Sequence, residues 1–198
     1  MQTRMRIAVD AMGGDYAPDE TIKGSVEAVN ERGDIKVYLV GKEDILKEKL
    51  KSYTYNHEQI EVVNAEEVIT NDEAPVMAIR RKKESSIVVA LNLVKHGTAD
   101  AFISAGSTGA VLVGGQLIVG RIKGIERPPL APLIPTTKGV SLLIDCGANV
   151  DARSSHLVQF AKMGSIYMEH VVGIKNPKVA IVNIGAEEEK GNMLVKET

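Results

Sequence analysis

Short apolar runs alternate with helical periodicity along almost the whole chain. Arg6 to Ala11 is a brief apolar run that ends at Asp10, and Ile22, Val26 and Val29 then recur at helical spacing. That spacing predicts a helix over Glu20 to Arg32, with acidic side chains in its first turn. Ile35 to Val40 and Ile60 to Val63 read as strands on either side of a charged helix, Glu43 to Lys51. Val76 to Lys83 is predicted helical, with Pro75 suited to its first turn. A second apolar helix runs from Ile87 to His96 and stops at Gly97. Ala101 to Ser104 is the next strand, followed by the apolar helix Val111 to Gly120.

Beyond the breaker Arg127-Pro128-Pro129, Leu130 to Ile134 is punctuated by prolines and is predicted irregular or at a sheet edge. Val140 to Ile144 reads as a buried strand and Lys178 to Val182 as another. Between them lies a long helix from His156 to about Val172, with Ser154 and Ser155 as its caps. Its apolar residues cover more than one face, which predicts burial in the core or against a second subunit. The chain ends in what reads as the first turns of a further helix. Alternation of this kind predicts an α/β fold, a mostly parallel sheet with helices on both faces. It is read as a single domain over residues 1–198.

Composition changes this picture little. Of 198 residues, 44% are hydrophobic and 25% charged, which is ordinary for a globular protein. A formal net charge of -2 offers nucleic acid no global attraction, and with no Trp, two Phe and five Tyr there is little to stack on bases. One local basic patch exists, Arg80, Arg81, Lys82 and Lys83. A single cysteine, Cys146, excludes an internal disulfide and the usual zinc spacings, and reads as a small buried residue. No signal peptide is evident at the start, so the chain reads as cytoplasmic. Ala101 to Gly120 is uncharged and long enough to suggest a membrane span, but Ser104, Gly106, Ser107, Thr108 and Gly109 interrupt it, and a strand plus a buried helix accounts for it better.

Four predicted strands end alike, each in a polar residue followed by a glycine-containing turn: Asp10, Ser104, Asp145 and Asn183. Ligands of open α/β sheets bind beyond the carboxyl ends of the strands, so these turns are expected to line one cleft. The Ile103 to Ala110 stretch runs from a strand into a helix start. Unpaired amides and the helix dipole there favour an anion. Candidate anion-binding residues are Asp10, Gly13, Gly14, Ser104, Gly106, Ser107, Thr108, Gly109, Asp145 and Gly185. Each of these turns has a plain structural use as well, in capping or in turning the chain. Neither a dinucleotide fingerprint, a P-loop nor a serine-hydrolase elbow is present. The four histidines, His57, His96, His156 and His170, lack metal spacing, so no metal is expected, and only His156 adjoins a candidate turn.

Taken together, VDAMGGDYAP at 9–18, RRKKESS at 80–86, SAGSTGA at 104–110, GIERPPLAPLIP at 124–135, DCGANVD at 145–151, LVQFAKMGS at 157–165 and NIGAEEEKGN at 183–192 resemble the PlsX family. These are the bacterial phosphate acyltransferases of phospholipid synthesis. The resemblance implies a fold akin to isocitrate and isopropylmalate dehydrogenases and to phosphotransacetylase. It implies a homodimer that moves a long-chain acyl group from acyl carrier protein to inorganic phosphate without a nucleotide cofactor. Family chains are longer, so this sequence corresponds to their N-terminal part, and the helices credited with peripheral membrane contact lie in the remainder. Ser107 stands where members commonly carry Asn.

On this reading the amides of Gly106 to Gly109 hold the attacking phosphate, and Asn149 or the Gly185 amide stabilises the oxyanion. Lys190 supplies charge stabilisation, and Arg80 to Lys83 dock the acidic carrier protein. Two other classes stay open: a dehydrogenase of the related fold, and a non-catalytic phosphate-binding fragment.

Overall fold

The computed structural model describes residues 4–185, 187 and 189–198. The chain divides into two compact units, Met1–Gly120 and Arg121–Thr198, where the sequence alone suggested one domain.

The first unit is built on a parallel four-stranded sheet in the order β3-β2-β1-β4. Its strands are β1 (Met5–Asp10), β2 (Ile35–Gly41), β3 (Ile60–Asn64) and β4 (Ala101–Ile103). The helices of this unit are α1 (Asp19–Glu31), α2 (Glu43–Leu50), α3 (Pro75–Arg81), α4 (Ser86–Lys95) and α5 (Thr108–Gly114), the last continued by a π-helical turn, Gly115–Val119. Register is fixed by which side chains face which layer, because neighbours along a strand point to opposite faces. Ile35, Val37 and Leu39 of β2 join Ile22, Val26, Leu46 and Leu50 in a core beneath α1 and α2. Tyr38 and Val40, from the same strand, pack on the other face with Ala8 and Ala90. A third cluster joins α3, α4 and α5 through Ile79, Ile87, Leu91 and Ala110.

The strand order has a functional consequence. The chain runs outward from β1 to β3 and then returns to place β4 on the other side of β1, paired Ile7 to Ala101 through Val9 to Ile103. The connections leaving the carboxyl ends of β1 and β4 feed helices on opposite faces. The gap between them is therefore the switch point at which open α/β sheets bind ligands. At the other end of the same two strands, Arg6 grips Asp100 through Nη2 to Oδ1 at 2.7 Å and Nε to Oδ2 at 3.1 Å. The guanidinium's hydrogen bonds hold the Asp100 carboxyl below the usual carboxylate range. The stability this pair contributes is thus complete above the unfolded aspartate value and is lost as the pH falls through the lower folded one.

The second unit departs from the expected pattern. Its strands, β5 (Leu133–Thr136) and β6 (Gly139–Leu142), form an antiparallel hairpin pairing Thr136 with Gly139, so only Thr137 and Lys138 lie in the turn. So short a loop folds β6 straight back on β5. The expected buried parallel strand at Val140 to Ile144 is replaced by an arm with an exposed edge, and Pro135 is tolerated because the arm has a free side. Lys178 to Val182, expected as a strand, has no regular structure, and among the described residues of this unit no strand lies beside it to supply its hydrogen bonds.

Helix α6 (Ser154–His170) has Arg153 at its cap position, where its amide donates to His156 Nδ1, and the two serines do not cap it. It buries one face, His156, Phe160, Gly164 and Met168 at four-residue spacing, while Ile166 and Val171 stand exposed. The all-round burial expected for this helix is therefore absent from the unit itself. A short α7 (Met193–Glu197) closes the chain, with Asn192 Oδ1 accepting from the Val195 amide at 3.0 Å. Among the described residues no helix is long and apolar enough to cross a membrane.

Candidate functional site

At the switch point, β1 delivers Asp10 and β4 leads into Ser104, and the two meet. Asp10 is buried, 1% exposed, and both its oxygens are engaged. Oδ1 accepts from the Met12 amide at 3.1 Å, and Oδ2 accepts from Ser104 Oγ at 2.7 Å. Ser104 Oγ in turn accepts from the Gly106 amide at 3.0 Å. This chain of bonds runs from one strand end to the other and fixes the direction of the Ser104 proton, which points at the carboxylate. It also settles how the turn after β4 leaves the sheet.

The turn after β1 presses into the same place. A Cβ on Gly13 would lie 2.4 Å from Asp10 Oδ2 and 2.8 Å from the Gly106 nitrogen, so only glycine lets the two turns approach. Gly14 follows at positive φ, facing Ala105.

Helix α5 begins beyond these glycines. Ser107, buried, is its N-cap, and its Oγ accepts from the Ala110 amide at 3.3 Å. Thr108 and Gly109 occupy the first two helical positions, whose amides have no intrahelical acceptor. The expected anion cradle over Gly106 to Gly109 is thereby narrowed. The Gly106 amide is already given to Ser104, and the Ser107 oxygen to the cap. The donors left are the amides of Ser107, Thr108 and Gly109 and the hydroxyl protons of Ser107 and Thr108.

The second unit holds Asp145, Asn149, Gly185 and Lys190. Asp145 ties two loops together: Oδ1 accepts from the Leu130 amide at 2.7 Å, and Oδ2 from the Asn149 amide at 2.7 Å. The Asn149 side chain donates to Pro128 O at 3.1 Å and to Asp145 Oδ2 at 3.3 Å. Both its hydrogens are spent inside the unit, which leaves none for an oxyanion. Gly185 and Lys190 share one compact turn, where a Gly185 Cβ would meet Lys190 Cγ at 3.1 Å, and the Lys190 side chain is exposed. Asn183 joins them through a bond from Nδ2 to Gly185 O at 3.3 Å. Ala186 and Glu188 lie outside the described residues.

His156 is buried, 4% exposed, and is no surface histidine. Its Nδ1 accepts from the Arg153 amide at 3.1 Å, so the remaining proton sits on Nε2 and donates to Glu126 Oε2 at 3.0 Å. Gln159, one turn on, brackets the same glutamate, with Nε2 donating to Oε1 at 2.9 Å. The spacing of His156 and Gln159 on one helix face was visible in the sequence. Their shared acceptor, about thirty residues earlier on a loop, was not.

The basic run divides as well. Lys82 Nζ donates to Glu73 Oε1 at 2.6 Å and to Val68 O at 2.7 Å, and so clamps a loop. Lys83 Nζ reaches Ile79 O at 3.2 Å. Arg80 and Arg81 stay exposed, with no side-chain partner among the described residues. No group of three or more His, Cys, Asp or Glu side chains able to hold a metal occurs among the described residues.

Comparison with known proteins bears on what this arrangement serves. A family model described as "Fatty acid synthesis protein" matches residues 5–198. The phosphate acyltransferase of Clostridium novyi is 56% identical over 193 residues, covering 98% of this chain and 58% of that protein. That of Clostridium acetobutylicum is 56% identical over 192 residues, covering 97% and 58%. The chain thus spans well under two thirds of the length of these relatives. Among solved structures, a phosphotransacetylase from Streptococcus pyogenes matches with a TM-score of 0.73 at 18% identity, covering 98% of this chain and 62% of that one. EutD phosphotransacetylase from Staphylococcus aureus matches at 0.70 with 18% identity, over the same shares of the two chains. These two likenesses carry the fold, an α/β architecture with a mostly parallel sheet. The sequence matches carry the family: this chain belongs to the fatty acid synthesis protein family, whose matched members are named phosphate acyltransferases.

Proposed function

We propose that this chain forms the phosphate-binding part of an enzyme that transfers a long-chain acyl group from acyl carrier protein to inorganic phosphate, yielding acyl phosphate for phospholipid synthesis. The observation that carries the reading is the switch point between β1 and β4. There the Asp10–Ser104–Gly106 hydrogen-bond chain holds the start of α5 open, with free amides at Thr108 and Gly109. Membership of the family supports acyl transfer to phosphate. The dehydrogenase alternative finds no support among the relatives and is set aside. The acyl donor, the homodimer and peripheral membrane contact belong to the same reading, drawn from the sequence resemblance.

In the proposed step an oxygen of the phosphate dianion attacks the thioester carbonyl carbon. A C–O bond forms, the C–S bond breaks, and the phosphate's proton ends on the departing thiol. No side chain need act as a nucleophile. The protein's contribution is to hold the dianion with two helix-start amides and the Thr108 and Ser107 hydroxyls, so that a bimolecular encounter becomes a positioned one. Asp10 makes no bond to the anion in this scheme. It accepts the Ser104 proton, and so keeps the Gly106 amide and the turn in register.

Phosphate titration followed by 31P NMR tests the binding half. Thr108→Val keeps the side-chain volume and removes one donor. It is expected to weaken phosphate binding about tenfold, the loss of one hydrogen bond to a charged ligand. Unchanged affinity in a folded Thr108→Val protein would remove the α5 start as the phosphate site.

A further inference from the structure

The outer face of α3 is exposed among the described residues, and its composition points to a partner. Ala78 and Ile79 turn inward, at 4% and 1% exposed. The opposite side carries Val76 and Met77, 45% and 43% exposed, followed one turn on by Arg80 and Arg81. Helical geometry sets these four side chains within one side of the helix. Lys82 and Lys83 are tied back to Glu73, Val68 and Ile79, which leaves the two arginines as the cations α3 presents to an incoming surface. A pair of apolar side chains bordered by two guanidinium groups matches an acidic helix that also bears an apolar residue.

A second contact ties this face to the anion site. Pro75 opens α3, and a Cβ on Gly109 would come within 2.7 Å of Pro75 Cγ. The first turn of α3 therefore lies against the first turn of α5. Seven residues of helix extend only about 10 Å, so α3 stays beside the start of α5 along its whole length.

We infer that Val76, Met77, Arg80 and Arg81 form the docking surface for an acidic helix of the acyl-bearing carrier protein, and that Pro75 against Gly109 sets this surface beside the phosphate. The inference rests on the function proposed above and adds the apolar pair to the contact while removing Lys82 and Lys83 from it. Long-range steering by the arginines makes association faster at low salt, and the apolar pair slows departure.

The test is direct binding of fluorescently labelled carrier protein, without an acyl group, to the full-length protein at low and at raised salt. Arg80→Glu with Arg81→Glu is expected to weaken binding at least tenfold at low salt and to flatten its salt dependence. Val76→Ser with Met77→Ser is expected to weaken it about fivefold at both salts. Thermal melting of each variant at the wild-type temperature establishes that the fold is intact. Wild-type affinity in both folded double variants overturns the inference, as does binding of the wild type to anionic phosphatidylglycerol vesicles with none to the carrier protein. Carrier binding lost as expected in the variants, in a wild-type protein that forms no acyl phosphate, would support the surface and defeat the acyl-transfer reading alone.

Discussion

Asp10→Ala is expected to cost about 3 kcal/mol of folding stability and to abolish measurable phosphate binding in whatever fraction stays folded. The residue is 1% exposed, and its two oxygens satisfy the Met12 amide and the Ser104 hydroxyl. Alanine leaves two part-buried donors without acceptors and opens a gap beneath the turn. Releasing Ser104 also frees the Gly106 amide, so the register of the α5 start is lost with it.

Asp10→Asn separates the two effects. Its carbonyl oxygen can still accept from the Met12 amide, and its NH2 group can donate to Ser104 Oγ, whose proton must then turn elsewhere. Stability should fall by about 1 kcal/mol, whereas phosphate affinity should still drop, because the hydroxyl no longer has a fixed direction. Urea denaturation and phosphate titration on both variants give the comparison. An alanine variant within about 0.5 kcal/mol of wild type would show that the hydrogen-bond chain has no structural weight.

Gly13→Ala is the second large effect, and it has a built-in control. The added methyl would sit 2.4 Å from Asp10 Oδ2 and 2.8 Å from the Gly106 nitrogen, a fixed carboxylate and a backbone atom, neither of which can swing aside. Overpacking of this kind costs about 2 kcal/mol. The relief available is for the turn after β4 to move away, which should weaken phosphate binding tenfold or more. Gly24, exposed within α1, has nothing within 4 Å of an added Cβ. Gly24→Ala should therefore stabilise the protein, by about 0.5–1 kcal/mol, through helix propensity. Opposite signs in chemical denaturation are the expected outcome. A Gly13→Ala variant as stable as wild type would mean that the two turns do not abut in solution.

Much of the first unit was legible in the sequence because its signals are local. The strands ending at Asp10 and at Ile103, the helix over Glu20 to Arg32 and the proline at the start of α3 each follow from periodicity or punctuation within a few residues. Four similar strand ends suggested a common cleft. The structure brings Asp10 and Ser104 together, while Asp145 secures loops of the second unit and Asn183 follows no strand at all.

What escaped the sequence was non-local. Nothing in RRKKESS tells that Lys82 is spent on Glu73 while Arg80 is not, because the partner lies on a loop nine residues earlier. Nothing in SAGSTGA tells that the Gly106 amide is already taken, since that depends on Ser104 being oriented by a residue 94 positions away. The run at Val140 to Ile144 misled for a related reason. Its apolar pattern suits a buried strand, but the two-residue turn before it fixes its pairing as a hairpin, and the Val140 side chain stays 40% exposed.

The central claim is that phosphate is the acyl acceptor. It is tested most directly by incubating the full-length protein with long-chain acyl carrier protein, with and without inorganic phosphate, while following thioester loss and acyl phosphate formation together. The account predicts one acyl phosphate for each thioester consumed, with no loss when phosphate is omitted. Thioester loss that proceeds equally without phosphate, releasing free fatty acid, would contradict it.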